Sequence, residues 1–362
     1  MMERVYNFAA GPAALPLPVL EKVQGELLSY GTAGCSVLEM SHRSKPYQDI
    51  IDRAEASLRR LMNIGDDYAV LFLQGGASLQ FSMTAMNLAN RGDVADYVVS
   101  GNFASKAYEE GLRWCDARAI ASSKGDGYKY IPAVTPDLES EGSKYLHITA
   151  NNTIYGTMYN DIPRGFKAPL VCDMSSIILG REFNVNDFGL IYAGAQKNVG
   201  PAGLTIVIVR RDLVRDDLDN MIPSMLQYKT FEKSGSMYNT PPCFSIYVAG
   251  LVFEWVESEG GVAALEKRNR EKAALLYDVI DGSSLFTGVA DSGSRSIMNV
   301  TFTLPSDELT AAFIDFAKGR GLTSIKGHRA LGGCRASIYN AMPIEGVRAL
   351  AECMKDFEKE NA

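Results

Sequence analysis

Three short apolar strands are predicted in residues 171–211, VCDMSSIILGREFNVNDFGLIYAGAQKNVGPAGLTIVIVRR. The first ends in Asp173 and the second in Gln196 and Lys197, and the third, residues 204–209, follows a Gly-Pro-Ala-Gly turn. In an α/β sheet, ligand sites gather where strands end and loops begin. We therefore expect an acid and an amine to meet at one edge of a sheet.

An aspartate and a lysine at neighbouring strand ends suit one cofactor in particular, pyridoxal phosphate (PLP). PLP requires a lysine for its Schiff base and a carboxylate that keeps the pyridine nitrogen protonated, so that the ring withdraws electrons. Each residue alone has an ordinary explanation, because strand-end aspartates often cap helices or form turns. The pairing of Asp173 with Lys197, beside a glycine-rich turn, favours the cofactor.

Composition limits the class of protein. The chain has 362 residues, of which 46% are hydrophobic and 22% charged, and its net charge is −7. This length allows two domains, and the acidic balance argues against nucleic acid as the main partner. No apolar run approaches the length of a membrane span, and prolines 12, 16 and 18 break the first apolar segment, so neither a signal peptide nor an anchor is expected.

Cysteine and histidine positions do not match a metal site. The chain has three histidines and no Cys-x-x-Cys pair. We expect no metal, and we expect reduced thiols in a cytoplasmic protein. The cysteines are Cys35, Cys115, Cys172, Cys243, Cys334 and Cys353.

The first 210 residues alternate strands with amphipathic helices, which predicts an α/β fold with a mostly parallel sheet covered on both faces. After the strand at 68–73, Gly75 and Gly76 precede a helical pattern, so backbone N–H groups there could bind a phosphate. Phe103 stands at the mouth of the next helix, as a core residue or as a stacking partner for a planar cofactor. The predicted elements of this part are helices at 18–30 and from Pro46, and strands at 68–73, 96–100 and 145–149.

The remainder of the chain predicts a small α+β domain. Residues 221–242 are polar and irregular, and a long loop of this kind is often functional. The glycine pair 260–261 between two helical patterns is the predicted domain boundary. We expect a large domain at 16–260 and a small domain at 261–362, with residues 1–15 packing on the latter. The predicted elements are helices at 245–259, 262–280, 307–320 and 344–358, and strands at 297–304, 322–325 and 334–339.

Two basic clusters could bind anions. Residues 326–335, KGHRALGGCR, place cationic side chains among glycines, and His42 and Arg43 precede the helix at Pro46. Arginine forks match carboxylate and phosphate geometry. The alternative is an ordinary solvated basic loop.

Motifs along nearly the whole chain resemble those of the phosphoserine aminotransferases, a group within the class V aminotransferases. The resemblance implies the type I PLP fold and pyridoxal 5′-phosphate as cofactor. The matching motifs are NFAAGPAALP, SHRSKPY, GGASLQF, NNTIYGT, DMSS, YAGAQKNVGPAGLT, SMYNTPP and GHRALGGCRASIYNAM.

The resemblance also implies a role for each matching residue. Lys197 would hold the cofactor and shuttle the proton, Asp173 would pair with the pyridine nitrogen, and Phe103 would stack on the ring where many members have tryptophan. The remaining cofactor-binding residues would be Ala77, Ser78 and Gln196 at the phosphate, Thr153 near the ring hydroxyl, and Asn239 and Thr240 at the other subunit's cofactor. Arg335 would bind the substrate α-carboxylate, and His42, Arg43, His328 and Arg329 the distal anion.

The implied reaction moves an amino group from L-glutamate to 3-phosphohydroxypyruvate, giving 2-oxoglutarate and O-phospho-L-serine in serine synthesis, and in some bacteria it also serves pyridoxine synthesis. The implied assembly is a homodimer with shared sites. Three alternatives remain: a cysteine desulfurase or lyase with Cys334 as nucleophile, a different small-acid transaminase, and a non-enzymatic anion-binding α/β protein that uses only the glycine turn.

Overall fold

The computed structural model describes residues 4–361, so residues 1–3 and 362 of the predicted terminal segments lie outside it. In chain order the elements are β1 (Tyr6–Asn7), α1 (Leu17–Glu26), α2 (Lys45–Met62), β2 (Tyr68–Leu73), α3 (Gly76–Leu88), β3 (Val94–Val99), α4 (Asn102–Leu112), β4 (Asp116–Ser122), β5 (Leu146–Thr149), β6 (Asn151–Asn152), β7 (Thr157–Met158), β8 (Leu170–Asp173), β9 (Leu190–Gly194), β10 (Thr205–Arg210), α5 (Tyr228–Lys233), α6 (Cys243–Ser258), α7 (Gly261–Gly282), β11 (Thr287–Gly288), β12 (Asn299–Thr303), α8 (Asp307–Gly319), β13 (Leu322–Thr323), β14 (Cys334–Ser337) and α9 (Ile344–Asn361).

Within residues 4–361, the main sheet contains seven strands in the order β2-β10-β9-β8-β5-β3-β4. Strands β9, β8, β5, β3 and β4 pair in parallel, and β10 runs antiparallel to both β9 and β2. The prediction of a mostly parallel α/β sheet is therefore confirmed. Strand β10 follows β9 after the glycine-rich turn and pairs with it in the antiparallel direction. An antiparallel connection of this kind needs no crossover helix.

Strand β2 shows why the sheet strands are apolar along their whole length. Ala69 and Leu71 pack into the core that includes α3, and Val70 and Phe72 pack into the core that includes α2 and α6. A strand buried on both faces has no polar face, and its sequence is a continuous apolar run. This is why the strand at 68–73 was predicted with its observed boundaries.

The carboxyl ends of the parallel strands lie along one edge of the sheet. Thr205 at the start of β10 pairs with Leu73 at the end of β2 and with Gly194 at the end of β9. In the same way Thr149 pairs with Asp173 at the ends of β5 and β8. The loops that follow these strands therefore come together on one side of the sheet, as expected for a ligand site.

Several boundaries differ from the prediction. Strand β9 ends at Gly194, because the backbone N–H of Ala195 donates to the Leu204 carbonyl and closes the turn that carries Lys197. Helix α1 ends at Glu26 rather than at residue 30, where the Tyr30 N–H already bonds within the following loop.

Strand β4 and helix α5 were not predicted, and neither were the two-residue strands β1, β6, β7 and β11. Strand β4 is the edge strand beside β3, and most of its residues are exposed or half-buried, so it lacks the apolar run that revealed the central strands. Residues 221–242 were expected to be irregular, but they contain α5, whose Tyr228 and Phe231 are buried. The Tyr228 hydroxyl donates to Gln80 Oε1 (2.8 Å), which docks α5 on α3.

The C-terminal part consists of the antiparallel strands β11, β12 and β14 with helices α7, α8 and α9. Strand β1 pairs in parallel with β13, so the described N-terminal residues lie against this part of the chain. Gly260 and Gly261 both have left-handed backbone angles between α6 and α7. The division into domains at this point remains a prediction. None of the helices in the described chain is long and apolar enough to cross a membrane.

Candidate active site

Lys197 lies in the turn after β9, and its amine is enclosed by other predicted site residues. Nζ donates to Thr153 Oγ1 (2.8 Å) and lies 4.8 Å from the centroid of the Phe103 ring. Desolvation lowers the pKa of Lys197 to about 8; Asp173 opposes this shift and Arg335 adds to it. At pH 7 about a tenth of this amine is therefore unprotonated and nucleophilic, far more than for an ordinary lysine.

The N-terminal segment covers the stem of this lysine. The carbonyl of Gln196, which is half-buried, accepts a hydrogen bond from the Ala13 N–H (2.9 Å). A Cβ placed on Gly11 would lie 3.4 Å from Lys197 Cγ. Gly11 was not predicted as a site residue, although the NFAAGPAALP motif that contains it was noted.

Asp173 ends β8 and is buried, with 5% of its surface exposed. Its Oδ1 accepts hydrogen bonds from the backbone N–H (2.9 Å) and the hydroxyl (2.6 Å) of Ser175. Ser175 Oγ in turn accepts from the Gly194 N–H (3.1 Å), so the carboxylate is tied to the end of β9. Burial raises the pKa of Asp173, and Lys197 and the Ser175 hydrogen bonds oppose that shift.

The turn after β2 is suited to binding an anion. Gly75 (φ +91°) and Gly76 (φ +66°) have left-handed backbone angles, and a Cβ on Gly75 would lie 2.4 Å from Leu79 Cδ2. Helix α3 begins here, and glycine offers no side chain to cap its first turn. The N–H groups at Ala77 and Ser78 therefore remain available to a phosphate at the positive end of the helix dipole.

Arg335 on β14 lies beside Thr153, but its direct contact is long: Nη1 donates to the Thr153 carbonyl at 3.5 Å. Among the described residues its Nε is buried and has no hydrogen-bond partner. Burial lowers its pKa, although guanidinium groups keep their charge in proteins. A buried donor without a partner is costly, and a carboxylate ligand would satisfy it through a bidentate pair.

Leu331 in the basic loop at 326–335 and Phe103 at the start of α4 both pack against one buried cluster, which consists of Val99, Tyr128, Ile154 and Tyr155. His328 in this loop has a lowered pKa because it is desolvated and because Arg335, Arg329 and other cations lie nearby. This side of the pocket is therefore strongly positive.

Lys106 is a further cation on this side that the sequence analysis missed. Its Nζ lies 5.9 Å from the Phe103 ring centroid, and its charge contributes to the lowered pKa of His328. Lys106 follows Phe103 by three residues on α4, which places both on one helix face. The three-residue spacing from Phe103 was the feature of the sequence from which Lys106 could have been predicted as a site residue.

Thr240 contacts a second predicted site residue, His42, beside the glycine turn. Its hydroxyl lies 3.4 Å from His42 Nδ1, and its carbonyl accepts from Gln74 Nε2 (3.1 Å), next to the glycine turn. His42 Nε2 is buried without a partner among the described residues. Arg43 and Asn239 are exposed in the single chain.

Cys334 does not have the properties of a nucleophile. It is 1% exposed within β14, and burial raises the pKa of its thiol to about 12. A thiol that stays protonated at neutral pH is a poor nucleophile, so a cysteine desulfurase is not favoured.

The site fits the PLP expected from the sequence. The Lys197 amine with its lowered pKa, the oriented carboxylate of Asp173, the Phe103 ring and the open first turn of α3 suit the aldehyde carbon, the ring nitrogen, the ring face and the phosphate of the cofactor. The unpartnered Nε of Arg335 adds a place for a substrate carboxylate. Fold and site together define a PLP-dependent aminotransferase.

Comparison with known proteins agrees with this class. The model of the family described as aminotransferase class-V matches residues 5–350, and this chain belongs to that family. A phosphoserine aminotransferase of Bacillus cereus is 56% identical over 360 residues, which cover 99% of this chain and 100% of the relative.

Solved structures give the same result. The phosphoserine aminotransferase from Bacillus circulans subsp. alkalophilus superposes with a TM-score of 0.96 at 46% identity, covering 99% of each chain. The PLP-bound phosphoserine aminotransferase from Trichomonas vaginalis superposes with a TM-score of 0.92 at 37% identity, covering 97% of this chain and 100% of that one.

Proposed function

We propose that this protein is a PLP-dependent phosphoserine aminotransferase, which transfers the amino group of L-glutamate to 3-phosphohydroxypyruvate and releases 2-oxoglutarate and O-phospho-L-serine. The observation that carries the proposal is that the Lys197 amine and the Arg335 guanidinium both contact Thr153, and that the buried Nε of Arg335 has no hydrogen-bond partner among the described residues. A 2-amino acid needs both groups, one for its reacting carbon and one for its carboxylate. The product belongs to serine synthesis, and a related phosphorylated substrate would link the enzyme to pyridoxine synthesis.

When bound, PLP supplies an electron-withdrawing ring that takes up the amino group and stabilises negative charge at the substrate Cα. Asp173, held by Ser175, would keep the ring nitrogen protonated. Phe103 would lie against the ring face, and the N–H groups of Ala77 and Ser78, with Gln196, would hold the phosphate. These roles place each charge of the cofactor against a complementary group.

Lys197 performs the proton transfer in this proposal. Its pKa of about 8 lies close to neutral pH, so the amine can both accept and return a proton at Nζ. Thr153 Oγ1, 2.8 Å away, orients that amine.

The distal anion of the substrate alternates between a phosphate and a γ-carboxylate, so one cationic pocket must accept both. We assign this role to His328 and Arg329, with His42 and Arg43 as the second cluster. Lys106 supplies a further cation on the same side of the pocket. Arginine and histidine donors suit both anions because each presents fixed N–H groups.

The proposed function predicts a spectroscopic difference between two ligands. We expect O-phospho-L-serine to remove the visible absorbance of the PLP-loaded protein, and L-serine at the same concentration to leave it nearly unchanged, because L-serine has no anion for the His-Arg clusters. Equal loss with both ligands would leave a transaminase and remove the phosphoserine assignment. No loss with either ligand or with glutamate would remove the reaction itself.

We also propose a cytoplasmic homodimer in which Asn239 and Thr240 reach the cofactor phosphate of the other subunit. The exposure of both residues in the single chain supports this arrangement, and the free thiols of the cysteines support a reducing compartment.

A mixing experiment tests the shared sites. Two variants are used, Lys197→Met and the double variant Asn239→Ala with Thr240→Ala, and each should be impaired alone. When the two are unfolded and refolded together, activity should return, because one of the two sites in a mixed dimer has both an intact Lys197 and an intact Asn239 and Thr240. Separately refolded and then mixed samples are the control. Absence of recovery in a verified mixed dimer would show that each site lies within one chain.

A further inference from the structure

The NNTIYGT motif contains two buried asparagines, of which Asn151 joins three parts of the site. Asn151 is 3% exposed; its Nδ2 donates to Ser176 Oγ (2.8 Å) and to Asn299 Oδ1 (2.8 Å), and its Oδ1 accepts from the Ser296 hydroxyl (2.5 Å). Both N–H donors and one of the two acceptor positions of this amide are therefore used. Ser176 follows Asp173 by three residues, so the amide also contacts the segment that carries the acid.

Asn299 continues this connection into the C-terminal part. It is fully buried on β12, and its Nδ2 donates to Ser337 Oγ (3.0 Å) and to the Tyr339 hydroxyl (3.2 Å). Ser337 is its partner across β12 and β14, where Thr301 stands opposite Arg335. The side chain of Asn299 is thus fixed within the strand pair that presents Arg335.

The hairpin of β6 and β7 rests directly on β12. A Cβ on Gly156 would lie 2.8 Å from the Asn299 carbonyl and 2.5 Å from Thr301 Oγ1, so the two backbones approach as closely as glycine allows. The Thr301 hydroxyl donates to the Tyr155 carbonyl (2.8 Å) and the Ser296 N–H donates to the Gly156 carbonyl (2.8 Å). Thr153, which contacts the Lys197 amine, lies at the tip of this hairpin.

The direct contact between Arg335 and this hairpin is too long to fix the guanidinium, since Nη1 and the Thr153 carbonyl are 3.5 Å apart. The amide pair of Asn151 and Asn299 is shorter and wholly buried, and a buried hydrogen bond is both stronger and costlier to break than an exposed one. Together with the backbone contacts at Gly156, the amide pair therefore fixes the hairpin against β12, and Asn299 carries the connection on to β14 through Ser337.

We propose that Asn151 and Asn299 are positioning residues that hold Arg335 at the distance from Lys197 that the α-carboxylate of the substrate requires. Neither asparagine contacts the substrate in this assignment; both act through Arg335 and Thr153. The assignment rests on the proposed function, because the α-carboxylate belongs to the amino-acid substrate of that reaction.

The test compares two ligands that differ only in the α-carboxylate, O-phospho-L-serine and O-phosphoethanolamine, by their affinities for the PLP-loaded protein. We expect Asn299→Leu and Asn151→Leu to lower the preference for O-phospho-L-serine by roughly 10- to 100-fold, as about 1 Å of misplacement does. Affinity for O-phosphoethanolamine should stay unchanged. The Arg335→Lys variant should show the same loss of preference for O-phospho-L-serine, because lysine lacks the planar guanidinium that the two asparagines position.

Asn160→Ala is the matched control. Its amide is exposed and donates to the Gly293 carbonyl (2.7 Å), so it joins the same two parts of the chain away from the pocket. The preference should survive in this variant. If the leucine variants do not fold, the same two affinities are measured on Asn299→Ser, whose side chain is smaller and still polar. A loss of preference for O-phospho-L-serine in that variant supports the positioning role, and an unchanged preference contradicts it.

Two results are decisive. Folded variants of Asn299 and Asn151 that keep the wild-type preference would overturn the positioning role while leaving the proposed function intact. A wild-type protein with no preference for O-phospho-L-serine would instead overturn the proposed function, and the asparagine assignment with it.

Discussion

Replacing Lys197 with methionine is expected to lower kcat for amino transfer by at least about 10³-fold, since loss of a positioned acid–base group alone removes up to about 10⁴-fold. Methionine nearly preserves the volume of the side chain but has no amine to hold the cofactor or to move a proton. The measurement is formation of 2-oxoglutarate from L-glutamate with 3-phosphohydroxypyruvate as acceptor.

The same substitution should change how stability depends on pH. Lys197 has a pKa of about 8 in the folded protein against 10.5 for an ordinary lysine, so the unfolded chain binds more protons between these values. The wild-type protein therefore gains stability as pH rises from about 8 to about 10.5, and the Lys197→Met variant lacks this gain. We expect the difference in unfolding free energy between the cofactor-free proteins to shift by about 3 kcal/mol over that range, at about 1.4 kcal/mol per pKa unit.

Lys233→Met is the control for both measurements. Lys233 is exposed, and its ion pair with Asp216 (3.4 Å) is of a kind that contributes little to stability. Its loss should leave activity and the pH dependence of unfolding unchanged. Substantial activity in Lys197→Met protein would show that the reacting amine lies elsewhere.

Replacing Asp173 with asparagine is expected to lower kcat by roughly 10²- to 10³-fold, the range seen when one preorganised electrostatic group is removed. Asparagine keeps an oxygen that can accept from the Ser175 N–H and hydroxyl, so the local structure should persist. It carries no negative charge, however, and so it cannot hold a proton on the cofactor nitrogen. Steady-state rates with L-glutamate provide the measurement.

The Asp173→Asn variant should also be more stable than the wild-type protein at neutral pH in the absence of cofactor. Burial raises the folded-state pKa of this carboxyl, which means that ionisation opposes folding. The advantage of the variant should shrink as pH falls through that raised pKa, because the wild-type carboxyl then becomes neutral as well. Urea unfolding at two pH values measures the effect.

Asp126→Asn serves as the comparison, because Asp126 is an exposed carboxylate that accepts from the Tyr130 hydroxyl (2.7 Å). It should change neither rate nor stability appreciably. An Asp173→Asn protein that is both fully active and no more stable would contradict the role given to this carboxylate.

Local sequence was sufficient to predict those elements whose environment is uniform along the chain. Strand β2 is apolar at every position because both of its faces are covered, and α2 shows its helical period because one face packs on the core. Asp173 and Lys197 could be singled out because Asp173 ends one apolar strand and Lys197 lies three residues after the end of another. The amphiphilic edge strand β4 and the short helix α5 gave no comparable signal, since few of their residues are buried.

The roles of Arg335, His328 and Phe103 came from the resemblance to a family, since spacing alone left each of them with an ordinary alternative. The tertiary structure adds their environment: desolvation lowers the pKa of Lys197 to about 8, and Arg335 Nε is buried with no partner within residues 4–361. Neither property can be read from neighbouring residues, because both depend on atoms from distant segments.

By itself, then, the sequence determined the apolar strands, the helix periods and the residues placed at strand ends, because these depend on neighbours a few positions away. Only the tertiary structure decided which strand ends meet. It set Asn151 against Asn299, 148 residues further along the chain, and brought Lys106 toward His328. Such contacts depend on the order of strands in the sheet and on the packing of one hairpin against a distant strand. Neither can be predicted from the pattern of side chains within a single segment.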